Sequence, residues 1–451
     1  MGKSSKTNTQ AADQAKADQG RGDTLGIGIA GLGTVGAGVV RIFNEMGEKL
    51  ADRSGRVMAI RAVSARDRSR DRGVDLSPFH WCDNPVDVAS HDDVDLVVEL
   101  IGGSDGPALA LARETLERGK AFVTANKALI ATHGRELAEI AERTGAFLRF
   151  EAAVAGGIPC IKALREGLVA NEIESVHGIL NGTCNYILTR MEKEELAFGE
   201  VLEEAQRLGY AEADPTFDID GIDAAHKTAI LAALAFGTAP DLSQLPTEGI
   251  RTIAPVDIDY ARDLGYRIRL LGVAQRTEKG LETRVNPAMV PISEPLAKVE
   301  NATNAVVVHG SYVGQTVYEG PGAGQGPTAS AVVADIVDVA RGAGGPALGV
   351  PAGKLTQLET VSPEAHTGTF YIRLRVTDQP GVMADITRAL GDEGVSINSL
   401  LQRGEPEDGG IYIVLTTHET TEARISKVIG RFDALESVLE APTMLRIEAF
   451  S

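Results

Sequence analysis

Residues 209–227, GYAEADPTFDIDGIDAAHK, hold five carboxylates (Glu212, Asp214, Asp218, Asp220, Asp223), one histidine and one lysine. A lysine among acids can grip a charged substrate or pass a proton to a reacting oxygen. Asp223 and Lys227 are four apart, which places them on one face of a helix. Asp220 or Gly221 can cap that helix. The run AAHKTAILAALAF carries it to Gly237, which suits a C′ glycine. The spacing also fits a plain surface ion pair, worth only about 0.2–0.5 kcal/mol. Which reading holds depends on what the rest of the chain supplies.

A second set of residues is suited to a dinucleotide. LGIGIAGLGTVG (25–36) is a short apolar strand entering Gly31-x-Gly33-x-x-Gly36, and a helix-like stretch follows. The glycines permit a tight turn, close approach of a pyrophosphate and close helix packing, and the helix N-terminus offers N–H groups. Gly31, Gly33, Thr34, Val35 and Gly36 are therefore candidate cofactor contacts. An acid ending the second strand (57–65) would bind a ribose hydroxyl, but the chain reads Ser64-Ala65-Arg66-Asp67-Arg68. Arg66 is placed to hold a 2′-phosphate, so NADP(H) is favoured over NAD(H), although Asp67 could still serve the hydroxyl. Strand 95–101 ends at Gly102-Gly103-Ser104, and strand 121–125 delivers Asn126-Lys127 into the next loop. Ligands of parallel sheets sit beyond the carboxyl ends of strands, which makes Ser104 and Lys127 candidates too. Farther on, the glycines of PGAGQGPTAS, Gly322 and Gly324 among them, let backbone approach a ligand.

These residues need a scaffold. Strands alternating with helices over 25–150, completed by 325–349, predict an α/β nucleotide-binding domain of Rossmann type with a parallel sheet. Residues 151–324 predict an α+β substrate domain, with helices at 159–169 and roughly 184–194, 198–208 and 221–236, and strand-like runs at 266–276, 281–290, 304–309 and 313–319 forming an open, mostly antiparallel sheet. Residues 350–368 read as a linker. The order βαββαβ over 369–451 predicts a ferredoxin-like module. Residues 1–24 are polar, without the apolar segment of a signal peptide, and read as a disordered tail. A net charge of −19 argues against a general nucleic-acid or anionic-membrane binder. No apolar run reaches the roughly 20 residues that span a bilayer. Cys82, Cys160 and Cys184 have no paired spacing, so no disulfide framework or zinc site is predicted, and a reducing cytoplasm fits.

The motifs GLGTVG, ELIGG, TANK, EAAVAGGIP, GILNGTCNYI, GYAEADPTFDIDGIDAAHK and GAGQGPTASAV stand in the order seen in homoserine dehydrogenases, and the chain resembles that family over about 25–350. The resemblance implies interconversion of L-aspartate 4-semialdehyde and L-homoserine with NAD(P)(H), in threonine, methionine and isoleucine biosynthesis. It implies that Lys127 and Lys227 are the active-site lysines. Glu212 and Asp223 would bind the substrate's ammonium and hydroxyl ends, with Asp218 close by, Gly209 contributing backbone and Thr183 beside cofactor and substrate. Glu151, Val154, Gly156 and Ile158 match a loop that in relatives holds a sodium ion, mostly through main-chain oxygens. DQPGV in the C-terminal module resembles ACT domains, which bind amino acids at pairwise interfaces. In this family that implies a homo-oligomer, dimer or tetramer, and feedback by L-threonine, with Asp378, Gly381, Val382 and Asn398 as candidate contacts. Cutting the chain near residue 355 is then expected to spare catalysis and abolish threonine inhibition.

The residues support the same chemistry. Aldehyde reduction needs a hydride donor and a proton donor to the forming alkoxide, and a lysine ammonium can be the latter. Two rivals are a semialdehyde dehydrogenase acting through a cysteine thioester, for which Cys184 is the one candidate, and a non-catalytic sensor that binds a dinucleotide and an amino acid.

Overall fold

The structure, a computed structural model, describes residues 24–407 and 410–450, with the side chains of 403–407 outside the description. The predicted tail therefore lies outside the described residues, except that Thr24 already begins the first strand. The chain divides into two units, one of residues 1–167 and 323–356, the other of 168–322 and 357–451.

The first unit is built on β1 (Thr24–Ala30), β2 (Val57–Ser64), β3 (His80–Trp81), β4 (Leu96–Glu99), β5 (Ala121–Thr124) and β6 (Leu148–Arg149). They lie in the order β3-β2-β1-β4-β5-β6, every neighbouring pair parallel. That is the doubly wound order with its switch point between β1 and β4, where ligands bind. Ile27, Ile29, Val98 and Val123 are fully buried in a core shared with helices Thr34–Ser54 and Gln325–Ala340. The two helices approach closely because Gly38 has no side chain: a Cβ there would lie 3.0 Å from that of Ala329. Residues 151–167 also fold here, not with the second unit. Glu151 N–H donates to Asp335 Oδ2 (2.7 Å), and its carboxylate accepts from the backbone of Ile161 and Lys162, opening helix Cys160–Lys162. The helix predicted over 159–169 is only that short turn followed by a π-helical turn, Ala163–Gly167.

The second unit carries β7 (Ile173–Ile179), β8 (Tyr266–Thr277), β9 (Gly280–Pro291), β10 (Thr303–Gly310), β11 (Gly314–Pro321), β12 (Thr367–Thr377), β13 (Ile397–Glu407), β14 (Gly410–Thr417), β15 (Thr420–Thr421) and β16 (Thr443–Ile447). They form one ten-stranded sheet, ordered β11-β10-β7-β8-β9-β16-β12-β14-β13, with β15 paired to β12. The C-terminal module has its predicted βαββαβ order, with helices Val382–Asp392 and Glu422–Asp433. Its last strand, β16, does not end the sheet. It runs parallel to β9 (Arg446 opposite Ala288, Ile447 opposite Met289) and so continues the sheet of residues 173–321.

Buried charge seals that join. Arg284 Nη2 donates to both carboxylate oxygens of Glu448 (2.8 and 3.0 Å), and Arg284 Nε donates to Glu282 Oε1 (2.8 Å). Asp257 Oδ1 accepts from Tyr371 Oη (3.0 Å) and Arg373 Nε (2.7 Å). The stretch read as a linker is tied down as well: Leu281 N–H donates to Glu359 O, and Val361 N–H donates to Leu281 O.

Candidate active site

In the first unit the glycine turn has the geometry its spacing requires. Gly31 has φ +104°, and a Cβ there would strike the Leu100 carbonyl; a Cβ on Gly36 would strike the carbonyl of Gly31. A Cβ on Gly33, by contrast, would meet nothing within 4 Å. Gly33 is the N-cap of helix Thr34–Ser54, so Thr34 and Val35 form the helix start. A cavity of about 440 Å³ opens beside this turn, lined among others by Gly31, Gly33, Arg66, Arg70, Gly102 and Pro107.

The arginine-rich loop at the end of β2 sorts itself by its hydrogen bonds. Arg72 donates to the carbonyls of Leu32, Arg70 and Asp67, tying the loop to the glycine turn. Its guanidinium and that of Arg68 lie over the ring of Trp81. Asp67 Oδ1 accepts from the N–H and Oγ of Ser69, so this carboxylate serves a local turn; those same bonds hold its pKa below the ordinary value. Arg66, Asp67, Arg70 and Arg72 all line the cavity, Asp67 and Arg72 while making these bonds within the loop.

Lys127 stands at the first position of helix Lys127–Thr144, and the side chains that place it were not singled out from the sequence. Glu99, fully buried, accepts from the N–H groups of Ile101 and Gly102 and from Thr124 Oγ1. Asn126 caps the helix by accepting from Leu129 N–H and donates to the Gly103 carbonyl (2.7 Å). The motifs ELIGG and TANK are thus locked together. Ser104, next to Gly103, donates to Asp105 (2.7 Å). Gly324, at φ +122°, is the N-cap of helix Gln325–Ala340.

In the second unit the predicted helix runs Ile222–Phe236, between Gly221 at φ +84° and Gly237 at φ +63°. Asp220 does not cap it, pairing instead with Arg251. Asp223 and Lys227 are not a surface pair. They are 3% and 9% exposed, and Lys227 Nζ donates to Asp223 Oδ2 (2.8 Å) and to the Leu180 carbonyl (2.6 Å). Asn181 joins the acids: its Nδ2 donates to Asp218 Oδ1 (2.8 Å) and Asp223 Oδ2 (2.9 Å). Its Oδ1 accepts from Cys184 N–H, capping helix Gly182–Glu194. Thr183 Oγ1 donates to the Tyr210 carbonyl (2.7 Å), next to Gly209, which ends helix Phe198–Leu208 at φ +80°. Glu212 is exposed on the following loop and is not drawn into this hydrogen-bonded cluster.

Cys184 is unsuited to a thioester. It is fully buried, its Sγ donates to the Asp218 carbonyl (3.2 Å), and burial, reinforced by Asp218 and Asp223, pushes the thiol well above its ordinary pKa.

Glu151, Val154, Gly156 and Ile158 are all buried in the first unit. The backbone turns left-handed at Ala155 and Gly156. The Glu151 carboxylate is occupied by two backbone N–H groups, and burial with the nearby Asp335 pushes it up to about 7. A cation here would therefore take main-chain oxygens, the donor type a sodium ion accepts. In the C-terminal module Gly381, at φ +102°, caps helix Val382–Asp392. Asp378 and Asn398 are exposed, while Val382 is buried. No described helix is long and apolar enough to cross a membrane.

Comparison with known proteins agrees with this layout. Residues 159–337 match the homoserine dehydrogenase family, 31–151 the homoserine dehydrogenase NAD-binding domain and 370–437 the ACT domain. The homoserine dehydrogenase of Neisseria gonorrhoeae is 45% identical over 433 residues, covering 94% of this chain and 99% of that one. The Pseudomonas aeruginosa enzyme is 44% identical, covering 94% and 98%. The chain belongs to the homoserine dehydrogenases. A crystal structure of the Thiobacillus denitrificans homoserine dehydrogenase is similar with a TM-score of 0.89 at 44% identity, over 94% of this chain and 98% of that one. A hyperthermophilic archaeal homoserine dehydrogenase in complex with NADPH matches with a TM-score of 0.61 at 26% identity, over 70% and 97%. Homoserine dehydrogenases are oxidoreductases acting on a CH–OH group, and this one combines the nucleotide domain, the catalytic domain and an ACT module in one chain.

Proposed function

We propose that the enzyme interconverts L-aspartate 4-semialdehyde and L-homoserine with NADP(H) preferred over NAD(H), and that Lys227 is the proton donor to the aldehyde oxygen. The observation that carries this is the buried anchoring of Lys227. An ammonium has three N–H donors. Leu180 O and Asp223 Oδ2 take two, and tetrahedral geometry then fixes the direction of the third. A donor aimed in advance stabilises a developing alkoxide without reorganising. When bound, the nicotinamide supplies the hydride. Lys227 meets the charge that forms on oxygen and gives up a proton there. Asp223 and Asp218, aligned by Asn181, provide the negative field that suits the substrate's α-ammonium, with Thr183, Gly209 and Glu212 completing its binding. Lys127, at a strand end in the nucleotide unit, is the second lysine of the reaction.

The NADP preference rests on the loop after β2. Asp67, though it lines the same cavity beside Gly33, is engaged by Ser69, and three arginines, Arg66, Arg70 and Arg72, line it as well. The archaeal relative, whose structure holds NADPH, supports the same choice. We assign Ser104, Gly322 and Gly324 to the cofactor as well, and a sodium ion to the main-chain oxygens of Glu151, Val154, Gly156 and Ile158. The ACT module is read as an L-threonine site at Asp378, Gly381, Val382 and Asn398 in a cytoplasmic homo-oligomer. One assay tests the whole reading: oxidation of NADPH, and separately of NADH, with aspartate semialdehyde, with and without threonine. Rapid NADPH oxidation suppressed by threonine is expected. Equal use of both cofactors would end the NADP assignment, and indifference to threonine would end the effector assignment.

A further inference from the structure

We propose that Asn304 is a positioning residue for Lys227, acting through the Leu180 carbonyl. The inference rests on Lys227 being the proton donor. Asn304 lies on β10, one residue before Ala305, which pairs with Ile179 at the end of β7; Leu180 follows directly. Its Nδ2 donates to Leu180 O at 2.9 Å, and Lys227 Nζ donates to that same oxygen at 2.6 Å. A carbonyl oxygen has two lone pairs, and these two donors take both. The anchor that aims the ammonium is therefore itself held by a second donor.

Two further observations show that the Asn304 amide cannot drift. It is 1% exposed and tightly enclosed: a Cβ on Gly322 would overlap its carboxamide at 2.1 Å, and one on Gly182 would come within 3.4 Å of its Oδ1. Bare glycine backbone on both sides leaves room for this one side chain. Its Oδ1 has no hydrogen-bond partner among the described residues. Burying an acceptor without a partner is unfavourable. Turning the amide over would not relieve this, because it would set Oδ1 against the Leu180 carbonyl, acceptor against acceptor. The orientation is thus dictated by the bond that Nδ2 makes.

The test is a pH profile of kcat for aspartate semialdehyde reduction at saturating NADPH, on the full chain. Asn304→Leu keeps similar bulk and removes the donor. With Leu180 loosened, an acceptor that favours the charged amine is weakened, so the basic limb moves to lower pH by about half a unit or more. Misplacement of the donor lowers kcat by roughly 10- to 100-fold, while KM for NADPH stays within about two-fold. An unmoved limb overturns the proposal, whether kcat is normal or reduced, because a merely structural role would not shift it. If Asn304→Leu folds poorly, Asn304→Ala removes the same donor without added bulk, and the same limb is read. Lys227→Ala in the same series separates the two ideas. If it retains turnover, the proton-donor reading falls; if it is inactive while the Asn304→Leu limb stays put, only the positioning role falls.

Discussion

At the scale of single residues, the chemistry concentrates on one lysine and two arginines. Lys227→Ala should lower turnover by roughly 10²–10⁴-fold, the usual cost of losing a positioned general acid, with NADPH affinity near wild type. Steady-state kinetics with a binding titration decide this, and a variant with near-normal kcat would remove Lys227 from the reaction. Arg66→Ala and Arg70→Ala should each weaken NADPH by roughly 1.5–3 kcal/mol, the range for a charge-assisted contact, and leave NADH nearly unchanged. Equal losses for both cofactors would refute a phosphate role. The sequence revealed Lys227 because it stands four residues from Asp223, a local spacing. It revealed Arg66 because a strand end normally carries an acid there. It did not reveal Arg70 or separate it from Arg72. Four arginines alternate over 66–72; three of them line the cavity, and only the hydrogen bonds show that Arg72 also braces the loop. Glu99 and Asn304 were equally silent, since their partners, Thr124 and Leu180, are distant in sequence.

At the scale of elements, most helices were legible and their couplings were not. Gly237 and Gly209 end their helices in the left-handed conformation that glycine tolerates, as their positions implied. Asn181 shows what spacing conceals. One side chain caps helix Gly182–Glu194 and also bridges Asp218 to Asp223. The two jobs should separate by mutation. Asn181→Ser keeps a capping oxygen but loses both amide donors, while Asn181→Ala loses everything. Both variants should lose turnover alike, and the serine variant should be the more stable by about 0.5–2 kcal/mol, the usual worth of a cap. Urea unfolding beside kinetics measures both. If serine restored turnover, the bridge between the acids would be unimportant. The same logic explains the misread helix at 159–169. The buried Glu151 carboxylate captures the N–H groups of Ile161 and Lys162 and fixes where the turn starts.

At the scale of the whole chain, the ACT module is part of the catalytic sheet, which the sequence did not suggest. In β9, Glu282, Arg284 and Asn286 alternate along one face and would ordinarily be read as facing solvent. All three are buried: Glu448 and His366 come from the C-terminal segment to pair with Arg284 and Glu282, contacts no local pattern encodes, and Asn286 accepts from Arg284. One consequence is a pH dependence of stability. Burial raises the Glu282 carboxyl, but His366 and Arg284 beside it outweigh that and hold it at about 2. For Glu448, Arg284 and His177 outweigh burial in the same direction. A depressed carboxyl contributes stability that is complete above its unfolded value, near 4.5, and is lost as pH falls through the folded value. The stability gap between wild type and Glu282→Gln should therefore be widest at pH 6 and shrink between about pH 4.5 and 2; a gap constant across that range in urea melts would show that Glu282 does not titrate with folding. The join also changes what truncation should do. A cut near residue 355 does not remove an appendage. It strips β16 from β9, takes Glu448 from Arg284, and takes Tyr371 and Arg373 from the fully buried Asp257. Breaking a buried pair by removing one partner costs about 3–5 kcal/mol, comparable to the stability of many whole domains. The new edge at β9 would also offer unpaired backbone to other chains. The truncated protein should accordingly melt far lower and associate, losing turnover through instability before regulation can be judged. Regulation is better tested in the full chain with Asp378→Ala, whose side chain is exposed and takes no part in the join. Calorimetry with light scattering on the 1–355 fragment settles the point. A soluble, active fragment melting with the intact enzyme would mean that the shared sheet contributes nothing to the catalytic fold.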